Sequence, residues 1–147
     1  MSHSYIANWL HIIWSTKDRD RCLFKGSAVK IRQHFLEKAE ENNAPIETIN
    51  IQPEHVHILI NLPATKSLDS VVHQMKGESS HWINDEKLLK GHFHWQKGYG
   101  AFSVSASMGE QVKEYIKNQE EHHRRKTFAE EYEEFLEKYG FEVDSDF

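Results

Sequence analysis

The stretch Glu54-His55-Val56-His57-Ile58-Leu59-Ile60 constrains this chain most. It reads as a β-strand bounded by Pro53 and by Leu62-Pro63. In a strand, side chains two residues apart share a face, so Val56, Ile58, Ile60 and Leu62 form an apolar row. That row is a core face. The other row is His55, His57, Leu59 and Asn61, which sets two imidazoles side by side on a sheet surface, spaced to hold one metal ion. Among eleven histidines such a pair is unremarkable alone. A second element has to supply the remaining chemistry.

The flanking sequence supplies the rest of a fold. Tyr5 to Thr16 reads as a largely buried first strand, with Leu10, Ile12 and Trp14 alternating against His11, Ile13 and Ser15. Ser27 is placed to cap a helix to about Asn42, whose Ala28, Ile31, Phe35 and Ala39 form one stripe. Ile46 to Gln52 forms a hairpin with the histidine strand. Ser67 caps a second helix with Leu68, Val71, Val72, Met75, Ser79 and Trp82 on one side. Phe93 to Gln96 and Ala101 to Ser105 read as two short strands, or one strand bent at Gly98-Tyr99-Gly100. Ser107 to Glu110 has capping-box spacing and opens a helix through about His123; Thr127 to Glu130 repeats the device for a last helix stopped by Gly140. The order predicts an α+β fold: a ferredoxin-like, RRM-like antiparallel sheet with helices on one face, plus C-terminal helices.

At 147 residues, with no repeat or long linker, the expectation is a single domain over 1–147, residues from about 126 being a C-terminal helix and acidic tail. No charged-then-apolar leader and no membrane-length apolar run is present, so a cytoplasmic protein is expected. The single Cys22 excludes an internal disulfide and a cysteine-based zinc site. The net charge of −5 is unevenly distributed. From Glu130 onward eight acids face one lysine, whereas residues 1–129 carry 17 basic and 15 acidic groups. The body is mildly basic, so phosphate binding is compatible with the composition without being indicated by it.

In the penultimate helix Tyr115 and Gln119 are four residues apart, hence on one face, with Val112 and Ile116 on an adjacent apolar stripe. With these residues the sequence resembles the single-tyrosine HUH transposases (TnpA) of small bacterial insertion sequences and their relatives associated with repetitive extragenic palindromes. The resemblance is carried by His55-Val56-His57, Trp14-Ser15-Thr16-Lys17, Met75-Lys76-Gly77-Glu78-Ser79-Ser80, the run from Trp95 to Ser105, and Tyr115-Ile116-Lys117-Asn118-Gln119. It extends from about residue 10 to residue 136.

The resemblance implies that His55, His57 and Gln119 bind a divalent ion, magnesium or manganese. It implies that Tyr115 attacks a phosphodiester of single-stranded DNA, becoming joined to the 5′ phosphate and releasing a 3′ hydroxyl. Partners are then DNA with hairpins at element ends and a second copy in a homodimer, where the tyrosine helix can serve the partner's histidines. The residue types suit this chemistry. A phenol titrating near 10 is a weak nucleophile at neutral pH and needs a nearby cation. Two imidazoles and an amide leave the ion's full charge and open positions for oxygen ligands.

Lys17, Arg19, Arg21, Lys76, Lys97, Arg124 and Arg125 are candidate phosphate contacts, and Trp95 and Tyr99 candidate base-stacking residues. His122 and His123 read as solvated helix-end residues, and His73, His81, His92 and His94 as structural. Two alternatives stand beside a mobile transposase: a domesticated relative that processes chromosomal palindromes, and a binding module that holds a nucleic-acid hairpin without cutting it.

Overall fold

The computed structural model describes residues 4–142, in two compact units divided between Lys117 and Asn118. In the first unit β1 (Trp9–Ser15), α1 (Lys25–Glu41), β2 (Ile46–Ile51), β3 (His55–Asn61), α2 (Leu68–Asp85) and β4 (Gly100–Ser103) follow one another. The strands form one antiparallel sheet in the order β2-β3-β1-β4. This is the ferredoxin-like arrangement the element order predicts.

The apolar row of β3 lies where its alternation puts it. Val56, Ile58 and Ile60 join Ile12 and Trp14 of β1 in a core filled by Ile31 and Phe35 of α1 and Val72 and Met75 of α2. Ser67 caps α2 as expected, accepting a hydrogen bond from the Ser70 amide. The opposite sheet face is covered by α3 (Gly109–Lys117), which packs over β2 and β3. Two polar links hold it there: Lys113 Nζ is 2.8 Å from Glu47 Oε1, and Asn50 Nδ2 donates to the Lys117 carbonyl at 3.5 Å.

Four local expectations change. Helix α1 begins at Lys25 with Phe24 as its cap residue, and the Ser27 hydroxyl donates to the Phe24 carbonyl inside the first turn. Residues 93–96 form only a bridge, Thr16 with Trp95, because the chain leaves the end of β1 after Gln96 N meets Ser15 O. No capping box forms at Ser107; a 3-10 turn over Ala106–Met108 precedes α3, and Ser107 bonds to Ser105 instead. The helix expected to run to His123 breaks at Asn118 (φ −96, ψ 26), a residue with poor helix propensity.

The second unit contains α4 (Gln119–His123) and α5 (Phe128–Lys138). Here the capping box forms in full: Thr127 Oγ1 accepts from Glu130 N, and the Glu130 carboxylate accepts from Thr127 N. Phe128, Glu131, Tyr132 and Leu136 are the buried residues of α5. Gly140, at φ +82, ends it with the paired 5→2 and 6→1 hydrogen bonds of a glycine stop, Gly140 N to Glu137 O and Phe141 N to Leu136 O. The final acids of the tail, Asp144 and Asp146, lie outside the described residues. Among those described, no helix is long and apolar enough to cross a membrane.

Candidate active site

His55 and His57 both lie on the β3 face opposite the core, and both are fully buried. One ring nitrogen of each lies within 4.8 Å of the other's. The antiparallel register sets Ile13 opposite His57 and His11 opposite Leu59, so His11 stands diagonally across from His57 on the same face. His11 Nε2 and His57 Nδ1 are hydrogen-bonded at 2.8 Å. His55 Nδ1 lies 2.6 Å from Glu54 Oε1, and since a carboxylate only accepts, the imidazole donates. Each of the two histidines thus has its Nδ1 at hydrogen-bond distance from a protein partner.

Tyr115 comes to this face from α3. Its ring centroid lies 6.0 Å from that of His57 and 6.2 Å from that of His11, edge-on to both. The side chain is half-buried, while its neighbour Ile116 is fully buried and anchors the helix. The tyrosine thus stands beside the histidines of its own chain.

Gln119 opens α4 in the second unit, where its Oε1 lies 2.9 Å from His123 Nε2, and the same nitrogen lies 3.5 Å from Glu131 Oε1. His123 Nδ1 donates to the Lys126 carbonyl. His123 is therefore a bonded residue of this unit and not a solvated helix end.

The profile described as "Transposase IS200 like" matches residues 4–119, from the segment before β1 to Gln119. The chain belongs to the IS200-like transposase family. Over 115 residues it is 27% identical to the ISDra2 transposase TnpA of Deinococcus radiodurans, covering 74% of this chain and 81% of that protein. The crystal structure of a candidate transposase from Deinococcus radiodurans R1 superposes with a TM-score of 0.64 at 25% identity, covering 81% of this chain and 96% of the other. A tyrosine transposase associated with REP sequences, solved bound to a REP hairpin, shares the fold with a TM-score of 0.62 at 16% identity, covering 84% of this chain and 72% of that one.

In this IS200-like transposase the residues singled out as DNA contacts fall into two groups. Lys17, Lys97 and Arg125 are exposed, and Arg124 is exposed with an ion pair to Glu121 at 2.9 Å. Arg19 is half-buried in a turn with Asp18, both at positive φ. The second group is engaged by the protein itself. Trp95 is a core residue, its indole donating to Ser79 Oγ at 2.8 Å and its ring packed edge-on against Trp14, Phe35 and Phe93.

Lys76 Nζ donates to the carbonyls of Gln96 and Gly98 at 2.6 and 2.7 Å, and burial pulls its pKa down. It shapes the 96–98 turn. Tyr99 donates to Asp69 Oδ1 at 3.2 Å, and partial burial, then that carboxylate, raises its pKa. Arg21 is ion-paired with Glu54.

The sequence reading does not single out Glu54 and His11, the residues bonded to the histidine pair, although Glu54 adjoins that pair and His11 alternates onto the outward face of β1. It also treated His92 and His94 as structural. Both are exposed and border, with Lys17 and Lys90, a cleft of about 440 Å³.

Proposed function

We propose that this chain cuts and rejoins single-stranded DNA at hairpin-marked ends, with Tyr115 as the nucleophile. One observation carries the reading: a half-buried tyrosine held edge-on to two buried, hydrogen-bonded histidines on a single sheet face.

His55 and His57 would hold a divalent ion, magnesium or manganese, through Nε2; Gln119, the third ligand the resemblance implies, belongs to the second unit. When bound, the ion supplies Lewis-acid charge that favours phenolate and draws electron density from the phosphate oxygens. The donor set fits, since neutral imidazoles need their outer nitrogens fixed by protein partners, as Glu54 and His11 do here.

The step proposed for Tyr115 is a transesterification. Its phenol gives up the proton, the oxygen bonds to phosphorus, and the bond to the 3′ oxygen breaks. That oxygen takes up a proton and leaves as a 3′ hydroxyl, while the 5′ phosphate stays on the tyrosine. A 3′ hydroxyl can later reverse the step without ATP, because the ester linkage is kept. Contacts of the His11 and His57 rings fix the phenol's approach. Lys17, Arg19, Lys97, Arg124 and Arg125 are the remaining candidates for the DNA backbone. A homodimer, in which the tyrosine helix can work for either subunit, belongs to the same reading.

The test is incubation of the protein with single-stranded DNA from both flanks of its gene, with magnesium or manganese and with chelator, followed by a denaturing gel and mass analysis. An adduct at Tyr115 with a released 3′ hydroxyl, abolished by chelator, is expected. A shifted band in native gels without an adduct, with either ion and either flank, would instead identify a hairpin-binding module.

A further inference from the structure

We propose that Glu54 and His11 are positioning residues that lock His55 and His57 with the proton on Nδ1 and Nε2 turned to the ligand, and that Arg21 serves this site by holding Glu54. This deepens the metal reading above and rests on it.

The geometry around Glu54 is built from the backbone outward. The Pro53 carbonyl accepts from both Cys22 N (3.1 Å) and Leu23 N (3.0 Å), which ties the segment carrying Arg21 to the turn carrying Glu54. The Glu54 carbonyl accepts from Thr16 N at 2.9 Å and from Thr16 Oγ1 at 3.3 Å, which fixes the same turn to the end of β1. Glu54 itself is 7% exposed. Its two carboxylate oxygens are divided: Oε2 meets the Arg21 guanidinium, and Oε1 meets His55 Nδ1 at 2.6 Å. A buried carboxylate needs such partners, and an arginine sharing one oxygen leaves the other aimed at the imidazole.

His11 does the same for His57 by different chemistry. If His57 ligates through Nε2, its proton sits on Nδ1, so it donates to His11 Nε2 at 2.8 Å, and His11 must be the neutral acceptor. One histidine is thus backed by a carboxylate and the other by an imidazole. The carboxylate makes His55 the stronger ligand, because a negative acceptor raises the basicity of the opposite ring nitrogen.

The experiment uses the full chain and manganese alone, without DNA. Affinity is measured by calorimetric titration, and the histidine tautomers of the metal-free protein by two-bond proton–nitrogen NMR. In the wild type His55 and His57 are expected as Nδ1–H tautomers. Glu54→Ala is expected to weaken manganese binding roughly 10–100-fold and to release His55 from that tautomer. Glu54→Gln, which keeps an acceptor, restores the tautomer and part of the affinity. His11→Phe does the same damage at His57 only. Arg21→Ala, at a largely exposed side chain, gives a smaller loss of manganese affinity. Wild-type affinity and tautomers in Glu54→Ala and His11→Phe would overturn the proposal. Loss of DNA binding in Arg21→Ala with unchanged manganese affinity would return Arg21 to the phosphate. The metal reading is checked separately: if His55→Ala and His57→Ala bind manganese like the wild type, that reading fails and the proposal with it.

Discussion

The two faces of β3 are buried to the same degree and made of opposite chemistry. Val56, Ile58 and Ile60 are 0% exposed on one side, His55 and His57 0% on the other, so burial alone does not separate core from site. What separates them is the demand each places on its surroundings. The apolar row needs close-packed neighbours of the right volume, and α1 and α2 supply them. Each imidazole needs a particular atom at hydrogen-bond distance, so the polar row recruits named residues: Glu54, His11 and, through Glu54, Arg21. The polar row therefore draws on residues far from it in sequence.

The sharpest way to test that contrast is a change that removes chemistry and leaves packing. Tyr115→Phe keeps the ring against His57 and His11; the expected result is complete loss of covalent adduct, with hairpin binding and the urea midpoint nearly unchanged. An adduct formed at the wild-type rate would remove Tyr115 as nucleophile. On the apolar side the opposite pattern is expected. Trp95→Ala should cost about 3–5 kcal/mol in urea unfolding, as for other buried tryptophans. A neutral effect, with weaker single-strand binding, would restore it as a stacking residue.

Ile58→Ala should cost about 2–5 kcal/mol, and Ile58→Val only about 0.5–1.5, because the core responds to volume. Equal costs for the two would show that this face is not close-packed. The smallest effect is expected at the exposed Lys97. Lys97→Ala should leave stability within about 0.5 kcal/mol and lower the salt dependence of DNA binding by roughly one phosphate contact. An unchanged slope would take Lys97 off the DNA path.

These contrasts also mark where the sequence is legible. The alternation in β3, the apolar stripe of α2 with its Ser67 cap, and the Thr127 capping box are local patterns, and each forms as read. The similar box at Ser107 does not form, because Ser107 finds Ser105 two residues away and the chain turns in a 3-10 helix first. The break at Asn118 was hidden as well. A mid-helix asparagine is a weak signal, and the four-residue spacing of Tyr115 and Gln119 implies one face only while the helix is continuous.

The sequence by itself determined which face of the histidine strand is apolar and which carries the two imidazoles, since a period of two and a residue type are both local properties. The tertiary structure decided which other residues bond to the imidazoles and to their partners. His11 reaches His57 across 46 positions because antiparallel register brings it there, Arg21 reaches Glu54 because two amides hold its segment to Pro53, and Trp95 is lost to the core because it meets Trp14 and Phe35. Pairings of that kind depend on strand register and on long-range closure of the chain, and no short window of sequence contains them.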